Sequence, residues 1–395
     1  MRVMGNPWVS IIGLNEDGPS GLSDASRSAL ANAEIVLGGP RHLELAKVGA
    51  RGRAWPVPFS VAPVLACKGQ SVAILASGDP FWFGAGSSLT AHLSRDEWQA
   101  FPMPSTFQLA AAHLGWRMEE ITCHGLHAAP FARLRPVLTK HHRAICLVRD
   151  GQAPSELAAW LVGQGFHADL TVLESLGGPN QRTRQTTAQS FDLTDITAPV
   201  AVALIITAGK GLPRSSGLDD GLFANDGQIT KRPIRALTLS ALAPTAGELL
   251  WDIGAGSGSI SVEWCLAGGR ALSFELRPDR AINIRANAAD FGIDHRMTCV
   301  EGNAAENLAV QPTPDAVFIG GGGSAVLFDQ LWQILPEGTR IVANGVTLET
   351  ESLLAHQHAT RGGTLLRIDL AQAAPLGRMR GWDAARPVVQ WSVIR

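Results

Sequence analysis

Short apolar runs of β-type residues recur along the whole chain, with amphipathic stretches between them. In the first half, strands are predicted over residues 8–14, 72–76, 144–148, 170–174 and 200–207, and helices over 23–33, 107–114 and 154–164. In the second half, strands are predicted over 248–253, 271–276, 297–301, 316–319 and 340–343, and helices over 234–242, 259–267, 278–291 and 324–335. Strands that alternate with helices imply mainly parallel sheets covered on both faces. The second half has the rhythm of a doubly wound sheet, so the fold class is α/β throughout. Between the halves, residues 209–227 read GKGLPRSSGLDDGLFANDG and show almost no apolar periodicity. Such a stretch buries too little surface to fold alone. It is expected to be a linker between a domain at 1–208 and one at 228–395.

Composition narrows the class. The chain has 395 residues, 46% of them hydrophobic and 17% charged, which suits two domains with real cores. The formal net charge is −2, without the basic excess of a protein that follows a nucleic-acid backbone. Five cysteines stand apart with no CxxC spacing, which fits a reducing cytoplasm. No Cys/His cluster has zinc-ligand spacing, so no metal is expected. No run approaches the roughly 18 apolar residues of a membrane span. The apolar stretch at 8–14 leads into Asn15, Glu16 and Asp17, unlike a signal peptide. A cytoplasmic enzyme acting on a small molecule, with no nucleic-acid or membrane partner, is the expectation.

The strongest chemical signal lies in the second half. The strand ending Trp251-Asp252-Ile253 is followed by Gly254-Ala255-Gly256-Ser257-Gly258 and then by a helix. Strand, glycine-rich turn and helix together form a cofactor cradle, because glycine lets backbone amides approach a ligand. Glu275 ends the next strand, 17 positions beyond Gly258, where an acid can accept hydrogen bonds from a ribose diol. The spacing is GxGxG; Ser259 stands where a dinucleotide fingerprint has its third glycine. This favours S-adenosylmethionine over a nicotinamide or flavin cofactor, with Asp252 orienting the loop or the methionine ammonium. Asn303 and Ala304, after the third strand, are placed for an adenine edge. Four glycines, Gly320 to Gly323, follow the fourth strand instead of the Asn/Asp-Pro-Pro-aromatic motif of nucleobase methylases. They suit either a large flat ligand or a flexible turn.

In the first half, Gly78-Asp79-Pro80 follows a buried strand and predicts a tight turn with exposed amides. The segment from Ser77 to Gly84 resembles the Gly-Asp-Pro segment of the tetrapyrrole methylases. Matching stretches fall in order around it: Ile11 to Asn15, Pro104 to Ala111, Cys123-His124-Gly125 and Leu173 to Gly177. The first loop departs from that family's Gly-x-Gly-Pro-Gly, reading Gly13-Leu14-Asn15-Glu16-Asp17-Gly18-Pro19. After the linker, Thr230-Lys231-Arg232 and the Asp252 loop resemble the small decarboxylating corrin methyltransferases. Another departure is Asn303, where that family often has Asp.

The two resemblances in one chain point to the fused methyltransferases of cobalamin synthesis. They imply a tetrapyrrole methylase fold of two α/β subdomains with a cleft, then a Rossmann-like S-adenosylmethionine domain. They imply cofactor contacts at Gly78, Asp79 and Pro80 in the first domain and at Thr230 in the second, and a homo-oligomer. The implied substrate is a reduced macrocycle ringed with acetates and propionates. The C-terminal domain would decarboxylate and methylate one bridging carbon, and the N-terminal domain would methylate the other. A polycarboxylate needs cations; Arg232, Arg235, Arg378 and Arg380 are the candidates, with His124 as a weak proton-shuttle candidate. Two alternatives stay open: a methyltransferase with another substrate, and a nicotinamide-linked oxidoreductase.

Overall fold

A computed structural model describes residues 7–395. The chain forms two compact units. One runs to Phe131 and resumes over Leu138–Lys210; the other takes Ala132–Val137 and Gly211–Arg395.

The first unit holds two five-stranded sheets. The first sheet contains β1 (Val9–Leu14), β2 (Ile35–Gly38), β3 (Gly52–Ala54), β4 (Val72–Ser77) and β5 (Trp98–Phe101), in the order β3-β2-β4-β1-β5. Every pairing in it is parallel. Helices α1 (Asp24–Asn32), α2 (Pro40–Ala46), α3 (Ala62–Leu65) and α4 (Gly86–Thr90) lie in its connections. Side chains alternate across a strand, so β1 sends Ile12 and Leu14 to one core and Val9 and Ile11 to the other. A strand buried on both faces reads as one apolar run, which is why the sequence revealed β1 and β4.

Helix α5 (Thr106–Leu114) follows, started by a capping box in which Ser105 and Gln108 exchange backbone bonds. The second sheet contains β6 (Thr122–Gly125), β7 (Arg143–Val148), β8 (His167–Glu174), β9 (Arg182–Thr187) and β10 (Val200–Ala208), ordered β6-β7-β10-β8-β9. Helix α6 (Ala153–Gly163) links β7 to β8. Here the expected parallel arrangement fails: only β6 and β7 run parallel, and the other pairings are antiparallel. The link from β8 to β9 is too short for a crossover, which needs about a dozen residues or more. Strand β9 reads RTRQTT, an edge strand without apolar alternation, and the sequence pattern does not reveal it.

Glu174 closes β8 with its side chain almost wholly buried. It accepts from Arg182, from Arg184 and, at 2.7 Å, from the Thr197 amide. Arg184 also donates to the Thr194 carbonyl at 2.8 Å, and Arg182 to that of Asp195. Burial alone would raise the Glu174 pKa, but Arg182, the Thr197 amide and Arg184 outweigh it and lower it. The cluster pins the segment that leads into Ala198 and Pro199.

The second unit is built on one seven-stranded sheet. In chain order its elements are α7 (Arg232–Leu242), β11 (Leu249–Ile253), α8 (Ser259–Leu266), β12 (Arg270–Glu275), α9 (Pro278–Asp290), β13 (Met297–Glu301), α10 (Ala304–Asn307), β14 (Ala316–Ile319), α11 (Ala325–Ile334), β15 (Arg340–Gly345), α12 (Leu348–Arg361), β16 (Thr364–Ile368), β17 (Ala371–Leu376), β18 (Met379–Ala384) and β19 (Val388–Ile394). The strand order is β13-β12-β11-β14-β15-β19-β16, with β19 antiparallel to both neighbours and the other pairings parallel. Strands β17 and β18 form a separate hairpin. Strand order reverses between β11 and β14, and ligands bind open α/β sheets at such a switch point, beyond the carboxyl ends. Leu250 faces one core while Trp251 and Ile253 face the other.

Residues 209–227 are not a free linker beyond Lys210. Leu218 and Phe223 are buried in the second unit's core. The amides of Gly217 and Leu218 donate to Glu263 at 2.6 and 2.9 Å, and that of Ala224 to Asn287 at 2.8 Å. Two apolar residues and buried side-chain acceptors suffice to fasten a strap that shows no periodicity of its own.

Candidate functional site

In the second unit, β11 carries the chain to the carboxyl edge of the sheet, and the glycine loop turns it into α8. Gly254, Gly256 and Gly258 have φ of 68°, 60° and 72°, a left-handed conformation that side-chain-bearing residues rarely adopt. Alternating left-handed residues account for the one-residue spacing. A Cβ on Gly254 would stand 2.5 Å from the Gly321 carbonyl oxygen. At least one of the four glycines after β14 therefore serves backbone packing against the cradle.

Asp252 and Glu275 flank this loop, both buried. Asp252 Oδ2 accepts from Ser261 Oγ at 2.7 Å, and Ser273 Oγ donates to Ser261 Oγ at 2.8 Å. Asp252 Oδ1 is buried without a hydrogen-bond partner, and so is Ser257 Oγ. Burial, opposed by hydrogen bonds from Ser261 and reinforced by Glu275, pushes the Asp252 pKa up to about 6. A buried acceptor with no donor is costly unless a ligand supplies one. A cationic or donor-bearing ligand fits it. Glu275 accepts from the Gly256 amide at 2.8 Å and the Arg277 amide at 3.0 Å. A carboxylate offers about four lone-pair sites, which leaves capacity for a ribose diol.

Asn303 caps α10: its Oδ1 accepts from the Ala305 amide at 3.1 Å and its Nδ2 donates to Glu306 at 3.0 Å. Its remaining capacity toward a ligand is a second lone pair on Oδ1 and a second hydrogen on Nδ2. Ala304 is packed against the core beside it. The segment around Thr230 lies near the cradle, with the Gln228 carbonyl 3.5 Å from where a Cβ on Gly256 would sit.

The arginines separate. Arg235, expected to meet substrate, is fully buried and bonded to Glu263, Asp220 and the carbonyls of Leu218 and Thr230. It is a brace for the strap and the Thr230 segment, because all three of its guanidinium nitrogens already donate there. Arg232 begins α7 and is exposed. Arg378 sits in the β17–β18 turn and Arg380 in β18; both are exposed and without an ion pair among the described residues. Arg361, Arg367 and Arg395 are engaged with Asp329, Glu351 and the Trp332 carbonyl.

The first unit contains a cleft of about 740 Å³. Gly78 is left-handed, and a Cβ on it would lie 2.7 Å from the Ser105 Cα. Asp79 Oδ1 accepts from the Phe81 amide at 2.9 Å. Gly78, Asp79 and Pro80 thus build the turn, while the cleft wall is formed by their neighbours Ser77 and Trp82 to Ala85. Close packing at Gly78 and the hydrogen bond to Asp79 Oδ1 hold this turn in shape beside the cleft. His124 is likewise no part of the cleft wall. It bonds Thr122, which also bonds His142, and burial together with His142 pushes its pKa down to about 4. Sequence reasoning missed other residues that line the cleft, notably Arg41, His42, His127 and Arg149. They lie on three separate stretches, so no local motif joins them.

A glycine loop at the switch point between two buried carboxylates, in one chain with a two-sheet cleft, fits a two-domain methyltransferase. Residues 9–192 match the family of Tetrapyrrole (Corrin/Porphyrin) Methylases, and residues 221–395 match the Precorrin methyltransferase domain. The chain is 46% identical over 398 residues to Precorrin-6Y C(5,15)-methyltransferase [decarboxylating] of Sinorhizobium sp, covering 98% of this chain and 96% of that one. It is 38% identical to the protein of the same name from Mycobacterium tuberculosis (strain CDC 1551 / Oshkosh), covering 98% of this chain and 100% of that one. Among solved structures it is similar to the C-terminal domain of precorrin-6Y C5,15-methyltransferase from Rhodobacter capsulatus, at 62% identity. That match covers 47% of this chain and 100% of the other, with a TM-score of 0.46. The chain belongs to the decarboxylating precorrin-6Y C5,15-methyltransferase family.

Among the described residues, no helix is long and apolar enough to cross a membrane. Nor is any group of three or more His, Cys, Asp or Glu placed to hold a metal ion.

Proposed function

We propose that this protein methylates two bridging carbons of precorrin-6Y and removes carbon dioxide from one acetate, yielding precorrin-8 in cobalamin synthesis, with S-adenosylmethionine as methyl donor. The C-terminal unit decarboxylates and methylates one carbon, and the N-terminal unit methylates the other. The observation that carries this reading is the Asp252–Glu275 cradle. An unpartnered buried acceptor stands on one side of the left-handed glycine loop, and an acid with spare lone pairs on the other. S-adenosylmethionine supplies an electrophilic methyl on a sulfonium when bound.

What the chain itself must do is align and enclose. Gly254 to Gly258 admit the ligand to the backbone, Asp252 meets the ammonium, Glu275 the ribose, and Asn303 and Ala304 border the adenine. Thr230 covers the site, held by Arg235. Alignment of donor and acceptor and exclusion of water are the main contributions to methyl transfer. Each transfer replaces a hydrogen on carbon by a methyl and releases one proton. Decarboxylation breaks one carbon–carbon bond, and the retained electron pair takes up one proton after delocalising into the conjugated ring. Arg232, Arg378 and Arg380 hold substrate carboxylates in two-point fashion. We read the working protein as a cytoplasmic homo-oligomer, whose second copy would cover the exposed Leu376, Met379 and Trp382 of the β17–β18 hairpin.

Incubating the full chain with precorrin-6Y and methyl-labelled S-adenosylmethionine tests this. Two labelled methyls and one carbon dioxide per product are expected; a product with no label, or no carbon dioxide release, would refute it.

A pH dependence follows from Asp252. Only its charged form meets a cation, and its pKa stands near 6. Above that pH the empty protein carries the cost of a buried charge; below it, protonation relieves the cost and removes the acceptor. Affinity for S-adenosylhomocysteine at the second unit is expected to fall about tenfold per pH unit below 6. Calorimetric titrations between pH 7.5 and 5 measure this, and Asp252→Asn should flatten the profile.

A further inference from the structure

The loop after β1, which departs from the Gly-x-Gly-Pro-Gly pattern of the tetrapyrrole methylases, carries a carboxylate at Glu16. Glu16 lines the first unit's cleft and forms an ion pair with Arg41, which lies in the first turn of α2 and lines the same cleft. The Arg41 guanidinium is held in place from its other side. Nη2 donates to Ser77 Oγ at 3.0 Å and to His42 Nε2 at 3.0 Å, and His42 Nε2 lies 2.9 Å from Ser77 Oγ. Arginine has no acceptor, so Nε2 accepts from it and His42 is neutral. Burial, with Arg41 beside it, pushes the His42 pKa down to about 4. The imidazole therefore adds no charge that would compete for an anion.

We propose that Glu16 is an internal stand-in for a substrate carboxylate, occupying Arg41 until an acetate or propionate of the macrocycle displaces it. This rests on the polycarboxylate substrate proposed above. Arg41 Nη1 is paired with the Glu16 carboxylate, while its Nη2 is held by Ser77 and His42. The other arginine of the cleft, Arg149, is bonded to Asp150 and Glu156, neither of which lines the cleft. Arg41 is thus the cleft cation whose partner carboxylate stands inside the cleft, where a ligand can replace it. The backbone of Glu16 is fixed against Gly178, where an added Cβ would lie 2.4 Å from the Glu16 Cβ. Displacement therefore needs only rotation of the Glu16 side chain. Trp55, Phe59, Trp82, Phe83 and Phe107 supply aromatic wall for a flat ring while Arg41 takes one rim carboxylate. The exchange of one carboxylate for another conserves the charge around Arg41 and selects an anionic rim over a neutral one.

Reciprocal variants of the full chain test this. Glu16→Gln should lower the KM for precorrin-6Y in the N-terminal methylation about 3- to 10-fold, because the competing carboxylate is gone. Arg41→Gln should raise it about 10- to 100-fold, the loss of a charge-assisted contact. Its product should carry one methyl fewer while carbon dioxide release continues. Arg41→Lys, which keeps the charge without the two-point fork, should fall between, and serves if Arg41→Gln does not fold. A purely structural pair would weaken binding in both variants alike. That result, or unchanged KM in Arg41→Gln, overturns the proposal. A wild-type chain that neither binds nor methylates precorrin-6Y overturns instead the function on which it rests.

Discussion

Arg235→Met is expected to cost the second unit about 3–5 kcal/mol of stability, the usual consequence of stranding one member of a buried ion pair. Arg235 is 0% exposed, and its Nε donates to Glu263 Oε1 at 2.6 Å. Glu263 also receives the amides of Gly217 and Leu218. Without the guanidinium, its charge stays buried with only neutral donors, and the Leu218 and Thr230 carbonyls lose theirs. The strap and the Thr230 segment should loosen together, so cofactor affinity at the second unit should fall with stability. Scanning calorimetry should show the melting transition of this unit moved down, with that of the first unit in place. An unmoved transition would mean that water reaches Glu263 in the native state. Adding Glu263→Gln should recover part of the loss, because the stranded charge is then gone.

Gly254→Ala is expected to remove cofactor binding from the second unit, weakening it by at least about 100-fold. The residue holds φ 68°, and its Cβ would stand 2.5 Å from the Gly321 oxygen. A left-handed conformation costs a side-chain-bearing residue roughly 1–2 kcal/mol, and the collision adds to it. Relief requires the cradle and the glycine run after β14 to move apart, which displaces the amides that meet the ligand. Titration with S-adenosylhomocysteine should fall from two equivalents per chain to one. Methylation by the first unit should continue while carbon dioxide release and the other methylation stop. Two equivalents in the variant would refute this account of the loop.

The cradle was legible because its chemistry is local. Asp252, the three glycines and Glu275 belong to two successive strands and the turn between them, so spacing alone assembles them. Strand β14 has the predicted bounds for a related reason: a fully buried parallel strand is a short apolar run with sharp ends. The polar edge strand β9 and helix α12, whose buried residues are Leu354 and Gln357, carry no comparable signal.

Arg235 shows where sequence reasoning stops. An arginine next to a predicted lid suits a substrate contact or a brace equally well, and only the position of Glu263, 28 residues away, decides between them. Strap residues 211–227 were misread for the same reason: their acceptors lie on α8 and α9. In the first unit, Gly78, Asp79 and Pro80 stand out in the sequence and build a turn, whereas Arg41, His42 and Ser77 meet at the cleft wall only through the fold.

The sequence by itself determined the α/β class, the two-unit order, the family and the cradle, because periodicity and fixed spacing are properties of contiguous chain. Only the tertiary structure decided which charged groups are available. A side chain's freedom to meet a ligand depends on whether distant residues already satisfy it, as they do Arg235 and do not Asp252 Oδ1.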